Sequence, residues 1–199
     1  MTARWPASIR YAEAEDAAPG GLGFVVDLLS TASHGKPPEP DLLSDVETAQ
    51  AWLDASLKAL RDADPQAPAE DVALDDRGLR RLRMLRDQLR RVLAGEAPNG
   101  QQAIVARTSV TVTAAGPAIA PGQGGVEALR TYALIQLLAA SYRDTFKRVK
   151  VCANPRCQGA FYDRSKNCSR VWHDVTACGN AENVRAYRAR KRAQKTPLH

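Results

Sequence analysis

The sequence predicts an α+β protein with two parts: a mainly helical N-terminal body that contains a small β-sheet, and a short cysteine-rich module that ends in a basic helix. Helical apolar periodicity recurs through the body, and one β-branched segment interrupts it. All four cysteines fall between Cys152 and Cys178. The 199 residues are enough for one ordinary domain and a small module. We place the body at residues 1–146 and the module at residues 147–199.

Composition limits the class of protein. Hydrophobic residues make up 44% of the sequence, so the chain can form a buried core. No apolar run reaches the roughly 20 residues that span a bilayer, and the first 21 residues lack the apolar stretch of a signal peptide. We therefore expect a cytoplasmic protein without a membrane partner. Thiols in the cytoplasm stay reduced, which favours metal binding over disulfides for the cysteines.

The first 60 residues predict an irregular start and then a helix. Prolines and glycines in residues 1–21 indicate an irregular lead-in, and the apolar run from Phe24 to Leu29 fits either a buried strand or the start of a helix. Residues 34–40 predict a loop. Ser44 and Glu47 then form a capping box, which predicts a helix that extends to about residue 61.

A second helix follows the polar connection at residues 62–73. Asp75 or Asp76 can cap this helix, and Gly95 can end it. The apolar residues of its predicted buried face are Leu79, Leu82, Leu85, Leu89, Val92 and Leu93. The arginines of its other face are Arg77, Arg80, Arg81, Arg83, Arg86, Arg90 and Arg91. Such a row can contact nucleic acid, but it is more often a solvated face, and we favour that interpretation.

The rest of the body predicts a strand and one long helix. After a turn at residues 96–101, the β-branched segment Ile104–Thr113 predicts a strand, and the prolines and glycines from Pro117 to Gly125 predict a loop. The longest helical pattern extends from Val126 to about Phe146. Its expected buried residues are Leu129, Ala133, Leu134, Leu137, Leu138 and Phe146. A predicted strand at residues 149–151 leads directly to Cys152, so we expect the module to pack on the body.

Positive charge is concentrated at the C-terminal end. The chain has a net charge of +6, but the segment from Arg143 to His199 contains 14 lysines and arginines and only 4 acidic residues. The preceding 142 residues contain 14 basic and 18 acidic residues. A basic end on a mildly acidic body indicates a polyanionic partner, and the alternative is a merely solvated tail.

The cysteines and one histidine have the spacing of a metal site. Cys152 and Cys157 are separated by four residues, and so are His173 and Cys178. We favour a zinc site made of these four residues. A Cys₄ site with Cys168 in place of His173 is the alternative. Four protein ligands leave no open coordination position, so the expected role of the zinc is structural rather than catalytic.

The same segment contains several short motifs: CANPRC at 152–157, FYDRSKN at 161–167, SRVW at 169–172, CGN at 178–180 and the basic VRAYRARKR at 184–192. Through these motifs it resembles the CGNR zinc finger family. Proteins of this kind carry an N-terminal domain called ABATE, described as a stress-induced transcription regulator. Residues 22–60 resemble the opening of that domain, so the resemblance implies an ABATE-like body at residues 1–146.

The resemblance also implies a ligand set, with departures from the family pattern at four positions. The implied zinc ligands are Cys152, Cys157, position 173 and Cys178, and at position 173 this chain has histidine where the family has cysteine. Histidine is a competent zinc ligand, so a Cys₃His site is expected. Ala181 and Asn183 replace an arginine and a lysine of the family, and Cys168 replaces a basic residue.

The end of the chain predicts a basic helix beside the zinc site. Asn180 can cap a helix from Ala181 to Arg192, with Val184 and Tyr187 packed against the zinc loops. Phe161 and Trp172 are expected in the small core of the module. The cations that we expect to contact nucleic acid, most readily duplex DNA, are Arg164, Lys166, Arg170, Arg185, Arg188, Arg190, Lys191 and Arg192.

The expected function is that of a zinc-containing DNA-binding transcription regulator. Its N-terminal domain would sense a small-molecule effector, form a homodimer or contact another protein. The alternative is an RNA-associated or protein-interaction module with purely structural zinc. The body contains no nucleophile elbow, phosphate loop or His-Glu metal motif, so we expect no catalytic residues and no enzyme. A free thiol at Cys168 would allow a redox response, which is a further hypothesis.

Overall fold

The computed structural model describes residues 4–8, 17–32, 39–96, 103–114, 116–121, 124–157 and 159–193. The helices in these ranges are α1 (Leu22–Leu29), α2 (Val46–Ala63), α3 (Asp76–Leu93), α4 (Val126–Tyr142) and α5 (Asn180–Ala193). Strands β1 (Thr108–Thr113) and β2 (Gly116–Pro121) form one antiparallel pair, and β3 (Val149–Val151) and β4 (Ala160–Tyr162) form a second. The predicted α+β class is confirmed.

Helix α1 is the centre of the body. All eight of its residues are buried, and it contacts α2, α3, α4 and strand β4. A short helix that is apolar on every side is stable only when other elements surround it. The apolar run from Phe24 to Leu29, which fitted a strand or a helix, is therefore a helix.

A buried carboxylate connects α1 to its neighbours. Asp27 Oδ1 accepts hydrogen bonds from the backbone N–H groups of Ala7 and Ser8, each at 2.8 Å. Asp27 Oδ2 accepts from Trp52 Nε1 and Ser56 Oγ of α2, each at 2.9 Å. Burial raises the pKa of Asp27, and these donors oppose the shift. The hydrogen bonds satisfy a polar group that would otherwise destabilise the core.

The caps of α2 and α3 are both aspartates. Asp45 caps α2, because its Oδ1 accepts from Thr48 N at 2.8 Å. The predicted capping box was wrong in this respect, since the N-cap is Asp45 and Ser44 Oγ donates to the Asp45 carboxylate. Asp75 caps α3 through Gly78 N at 2.6 Å, as predicted. Gly95 follows α3 with a φ of 71°, a conformation that favours glycine.

The arginine face of α3 is only partly solvated. Arg77 and Arg80 are exposed, as expected for a solvated face. Arg86 is buried and pairs with Asp41 at 2.7 Å. Arg83 donates to Leu43 O at 2.6 Å, and Arg90 donates to Leu29 O at the end of α1. These donors occupy carbonyls that α1 and the following loop leave unpaired, so part of the row is structural.

The predicted strand and loop after α3 form a hairpin. Regular β-structure begins at Thr108 rather than Ile104, and the segment from Pro117 to Gly125, predicted as a loop, contains all of β2 except its first residue. Prolines fit there because β2 lies at the edge of a two-stranded sheet. The predicted turn at residues 96–101 and the loop at 34–40 lie largely outside the described residues.

Helix α4 is shorter than predicted. It ends at Tyr142, where Asp144 adopts a left-handed φ of 60° and Thr145 N donates to Ala140 O at 2.8 Å. A 3₁₀ turn follows at Phe146–Arg148. Phe146 is 38% exposed and Leu138 is 55% exposed, so the expectation that both are buried was wrong. Leu138 lies on the outward face of α4, and Phe146 lies beyond the end of that helix.

The C-terminal hairpin packs against the helical body. Strand β3 contacts α3 and strand β4 contacts α1. Val149, Ala160 and Tyr162 belong to the same buried cluster as the core residues of the helices. The hairpin therefore has a fixed position on the body. Within the part of the chain that the structure describes, no helix combines the length and the apolar character needed to cross a membrane.

Candidate metal centre

The first two ligands lie in the loop that joins β3 to β4. Cys152 directly follows β3, and its N–H donates to Gly159 O at 2.8 Å, which extends the strand pairing by one bond. Cys157 N donates to Asn154 O at 2.8 Å and closes a tight turn. Gly159 N donates to Cys157 Sγ at 3.3 Å. The backbone thus folds both sulfurs toward the same side of the loop.

The second two ligands flank a short helical turn. Asp174 caps this turn, a π-helical segment at Val175–Gly179, and its carbonyl accepts from Cys178 N at 2.9 Å. His173 precedes the cap, and Cys178 lies in the last part of the turn. The turn continues directly into α5, so Asn180 has helical backbone angles. The prediction that Asn180 is the N-cap of the helix was therefore wrong. The first residue of the basic helix is therefore two positions after a metal ligand.

The four predicted ligands come together in one cluster. One donor atom from each of Cys152, Cys157, His173 and Cys178 lies within 4.8 Å of the others. The three cysteines are buried, and none forms a disulfide. His173 Nδ1 lies 3.3 Å from Cys157 Sγ and 3.6 Å from Cys178 Sγ. Bond lengths of zinc imply an S···N edge of about 3.6 Å in a tetrahedral site. The donor set and its dimensions therefore fit Zn²⁺.

Without metal, the three cysteine thiols of the cluster differ in pKa. The Cys157 thiol donates a hydrogen bond to Cys152, and this bond lowers the pKa of Cys152 and raises the pKa of Cys157. Burial raises the pKa of the Cys178 thiol. Zinc requires all three thiolates, so its binding releases protons and weakens in acid.

A buried ion pair fixes the loop that carries His173. Lys150 Nζ of β3 donates to Asp163 Oδ2 and to Cys168 O, each at 2.7 Å, and to Arg170 O at 2.8 Å. Asp163 is fully buried and also accepts from the backbone N–H groups of Ser165 and Arg170, each at 2.9 Å. Burial acts to raise the pKa of Asp163, but these donors outweigh it and lower the pKa below 3.8.

Aromatic residues complete the module. Phe161 is buried, as predicted, and the Arg170 guanidinium lies 5.4 Å from the centre of its ring. Trp172 is half-buried and packs against the cysteine cluster. Gly179 permits that packing, because a Cβ there would lie 3.1 Å from Trp172 Cδ1. Among the described residues, few other hydrophobic side chains pack near the metal ligands.

Cys168 lies outside the cluster. It is half-buried, has a positive φ of 50°, and its Sγ donates to Lys147 O at 3.5 Å. The structure therefore favours the Cys₃His set over the alternative Cys₄ set. The carbonyl of Cys168 also accepts from Lys150, so the residue has structural contacts through both its thiol and its backbone.

The predicted nucleic-acid residues fall into two groups. Three are used inside the molecule: Arg164 lies over the Tyr162 ring and donates to Ala17 O, Arg170 donates to His173 O, and Arg185 pairs with Glu182 and contacts Asn154. The others are exposed on the surface. They are Lys166, Arg188, Arg190, Lys191 and Arg192. Val184 and Tyr187 are 46% and 58% exposed, so the expectation that they pack against the zinc loops was wrong.

Three supporting residues were missed by the sequence analysis. Lys150 lies between two valines of a short strand, a pattern that gives no sign of a buried ion pair. Asp174 precedes the helical turn by one residue and caps it through Ala177 N, a signal that the spacing could have revealed. Asn154 was not singled out, yet its buried side chain accepts from Arg156 N and Arg185 Nη2. It thereby joins the first ligand loop to α5.

The fold and the site define a protein in which a zinc-binding module is packed on a helical body. Comparison with known families identifies both parts. Residues 23–147 match the ABATE family, described as "Putative stress-induced transcription regulator", and residues 148–191 match the CGNR zinc finger family. The chain belongs to the ABATE family and carries a CGNR zinc finger that binds zinc. Both resemblances predicted from the sequence are confirmed. No curated protein matches the chain.

The first prediction concerns His173. Replacing it with alanine removes one of four ligands, so we expect His173→Ala to lose most of its bound zinc, whereas His173→Cys restores four ligands and retains it. Elemental analysis of the purified proteins, combined with circular dichroism, measures both effects. The Cys168→Ser variant is the control and should keep one zinc per chain. Zinc loss in Cys168→Ser but not in His173→Ala would contradict the assignment.

The second prediction concerns the ion pair of Asp163 and Lys150. Asp163→Asn leaves Lys150 without its buried counter-charge, so we expect a loss of about 3 kcal/mol in the free energy of unfolding, measured in urea with zinc present. Because the pKa of Asp163 is lowered on folding, the difference in unfolding free energy between the wild type and Asp163→Asn is complete above the ordinary pKa of 3.8. It decreases as the pH falls below that value.

Lys166→Met is the matched control, because Lys166 is exposed and belongs to the same module. We expect its effect on unfolding to stay within about 0.5 kcal/mol of zero. Equal stability of Asp163→Asn and the wild type at neutral pH would show that the ion pair does not fix the ligand loop.

Proposed function

We propose that the protein is a zinc-dependent DNA-binding transcription regulator. The observation that carries this proposal is the position of the exposed cations on α5. Arg188, Arg190, Lys191 and Arg192 occupy the last two turns of a helix whose first turn is joined to the zinc site. Family membership supports a role in transcription regulation. The proposal that the partner is DNA rests on the exposed cations of α5.

The exposed half of α5 has the properties of a segment that needs an anionic partner. Residues 186–192 are all exposed, so the described part of the body covers little of these turns. Helices this short are marginal in water, and like charges such as Arg188 and Lys191, three residues apart, repel each other. A phosphate backbone would neutralise these charges and stabilise the helix. In this proposal the zinc site sets the position of α5, and contact with DNA stabilises the exposed last turns of that helix.

The proposal gives the body a non-enzymatic role. Residues 1–146 would receive a signal in the cytoplasm, either through a small-molecule effector or through a second protein chain. One place for an effector is the cleft between the end of α3 and the zinc loops, which is lined by Arg91, Glu96, Lys150 and Ala153 among others. A ligand there would touch both parts of the protein at once.

A second candidate is binding to RNA or to another protein. The observation that favours it is the first turn of α5, where Ala181 and Asn183 are uncharged and Glu182 pairs with Arg185. This turn offers no free positive charge of the kind that the family pattern has. Single-stranded RNA would then interact with the exposed aromatic and basic side chains of α5, including Tyr187.

The third prediction tests the contact with DNA. We compare the wild type with a variant in which Arg188, Arg190 and Lys191 are changed to alanine. If each cation contacts one phosphate, the slope of log affinity against log salt becomes shallower by about 3 for a random duplex. Fluorescence anisotropy across a salt series measures this slope. The matched control changes three exposed cations of the body, Lys58, Arg77 and Arg80, to alanine and should keep the wild-type slope.

The same assay distinguishes the two candidate functions. Competition between duplex DNA and single-stranded RNA of equal length shows which is preferred, and a preference for RNA favours the second candidate. The proposal fails if zinc-loaded protein does not bind duplex at low salt. It also fails if the α5 variant and the body variant have the same slope.

A further inference from the structure

The hairpin of β1 and β2 has one apolar face that the body leaves exposed. The strands pair with Val110 opposite Ile119 and Val112 opposite Pro117, so these four side chains share a face. Val110 is 64% exposed, Val112 is 79% exposed and Ile119 is 48% exposed. Every residue of β1 is exposed, and the body contacts the hairpin mainly through β2 and α4. Strand β1 is therefore the outer edge.

The two edges of this hairpin differ in their hydrogen-bonding groups. Thr111 Oγ1 lies 3.5 Å from Ala118 O, and Thr113 Oγ1 lies 3.4 Å from Gly116 O, which places these carbonyls between the strands. In an antiparallel pair the alternate residues point their backbone groups outward. On β2 the outward positions include Pro117 and Pro121, which have no N–H.

Strand β1 has no such protection. Its outward positions include Val110 and Val112, each with an N–H and a C=O that have no partner among the described residues. The strand has the sequence TSVTVT and contains no charge. Edge strands are commonly protected by charges, prolines or a covering element. Here β2 has the prolines, whereas β1 has no charge and no proline and is not covered by any element that the structure describes.

We propose that β1 pairs antiparallel with β1 of a second copy of this chain, around a two-fold axis at Thr111. This register places Val110 opposite Val112 of the second copy, Thr111 opposite its counterpart, and Ser109 opposite Thr113 of the second copy. On one face of the sheet the valine side chains of the two copies lie opposite each other. On the other face the threonine and serine side chains do. Such cross-strand pairs are favourable, and no like charges oppose each other. The outward N–H and C=O groups of both valines become paired.

A second copy fits this edge better than an unrelated strand because the register is self-complementary. A two-fold axis requires the same pattern in both directions along the strand, and β1 has it on each side of Thr111. The pairing makes a four-stranded sheet whose apolar face continues across the join. Two short strands bury less than the ~1,600 Å² of a standard interface, so we expect a dissociation constant on the order of 10–100 μM.

This inference extends the proposed function, because a symmetric dimer presents two α5 helices and would bind an inverted repeat in DNA. The dimer itself does not depend on DNA binding. Its test therefore uses the zinc-loaded full chain without nucleic acid. A failure of the dimer proposal can then be distinguished from a failure of the DNA-binding proposal.

The test is a register-specific disulfide in a Cys168→Ser background. In the proposed register the two Thr111 residues are opposite each other with Cα atoms about 4.5 Å apart, a separation that a disulfide spans. Thr111→Cys should therefore form a covalent dimer in oxidised glutathione. Ser109→Cys is the matched control, because its counterpart lies about 13 Å away along the strand. We expect cross-linking of Thr111→Cys to be at least about tenfold faster.

Sedimentation equilibrium of the unmodified chain provides the second measurement. A concentration-dependent monomer–dimer equilibrium, weakened by Val112→Pro and preserved by Val112→Thr, supports pairing through the β1 edge, because only proline removes the outward N–H. Equal cross-linking of Thr111→Cys and Ser109→Cys overturns the proposed register. A chain that stays monomeric throughout the micromolar range overturns the proposal and leaves the edge to a different partner.

Discussion

The C-terminal module depends on the bonds between one zinc ion and four side chains. The ligands come from two loops that share few apolar contacts: the turn at residues 152–157, and the segment that includes His173 and Cys178. Apart from the half-buried Trp172, the buried cluster at this point consists of the cysteines themselves. A metal supplies the cross-links that such a small segment cannot obtain from hydrophobic burial.

Contacts around the zinc site connect it to the body on one side and to α5 on the other. Toward the body, β3 and β4 pack on α3 and α1, and Lys150 of β3 holds the second ligand loop through Asp163 and two carbonyls. Toward the C-terminus, Cys178 lies in the turn that continues into α5, and Asn154 contacts Arg185 of that helix. The body, the zinc and the basic helix therefore form one connected arrangement, in which the direction of α5 is set near the metal.

Much of this arrangement was predictable because its signals are local. Cysteine and histidine spacing identified the ligand set, apolar periodicity identified α2 to α4, and Asp75 and Gly95 marked the ends of α3. The errors arose where distant contacts decide the outcome. Arg83, Arg86 and Arg90 looked solvated, but their donors satisfy carbonyls and a carboxylate that are remote in sequence.

Other errors arose from overlooked local chemistry. Proline and glycine in residues 116–121 obscured a strand, because proline is compatible with an outward edge position. Asn180 was taken as a helix cap, although Asp174 begins the helical segment earlier. The exposure of Val184 and Tyr187 reflects a helix that extends beyond the zinc loops, and neither periodicity nor composition indicates how far a terminal helix extends from its support.

The central claim is that one zinc ion is bound by three sulfurs and one imidazole nitrogen. X-ray absorption at the zinc K-edge tests this most directly, because it counts the neighbouring atoms by type and distance. The account predicts three sulfurs at about 2.3 Å and one nitrogen at about 2.0–2.1 Å. A first shell of four sulfurs would require Cys168 as a ligand, and a shell of oxygens would mean that the cysteine cluster does not hold the metal. Either result would contradict the account.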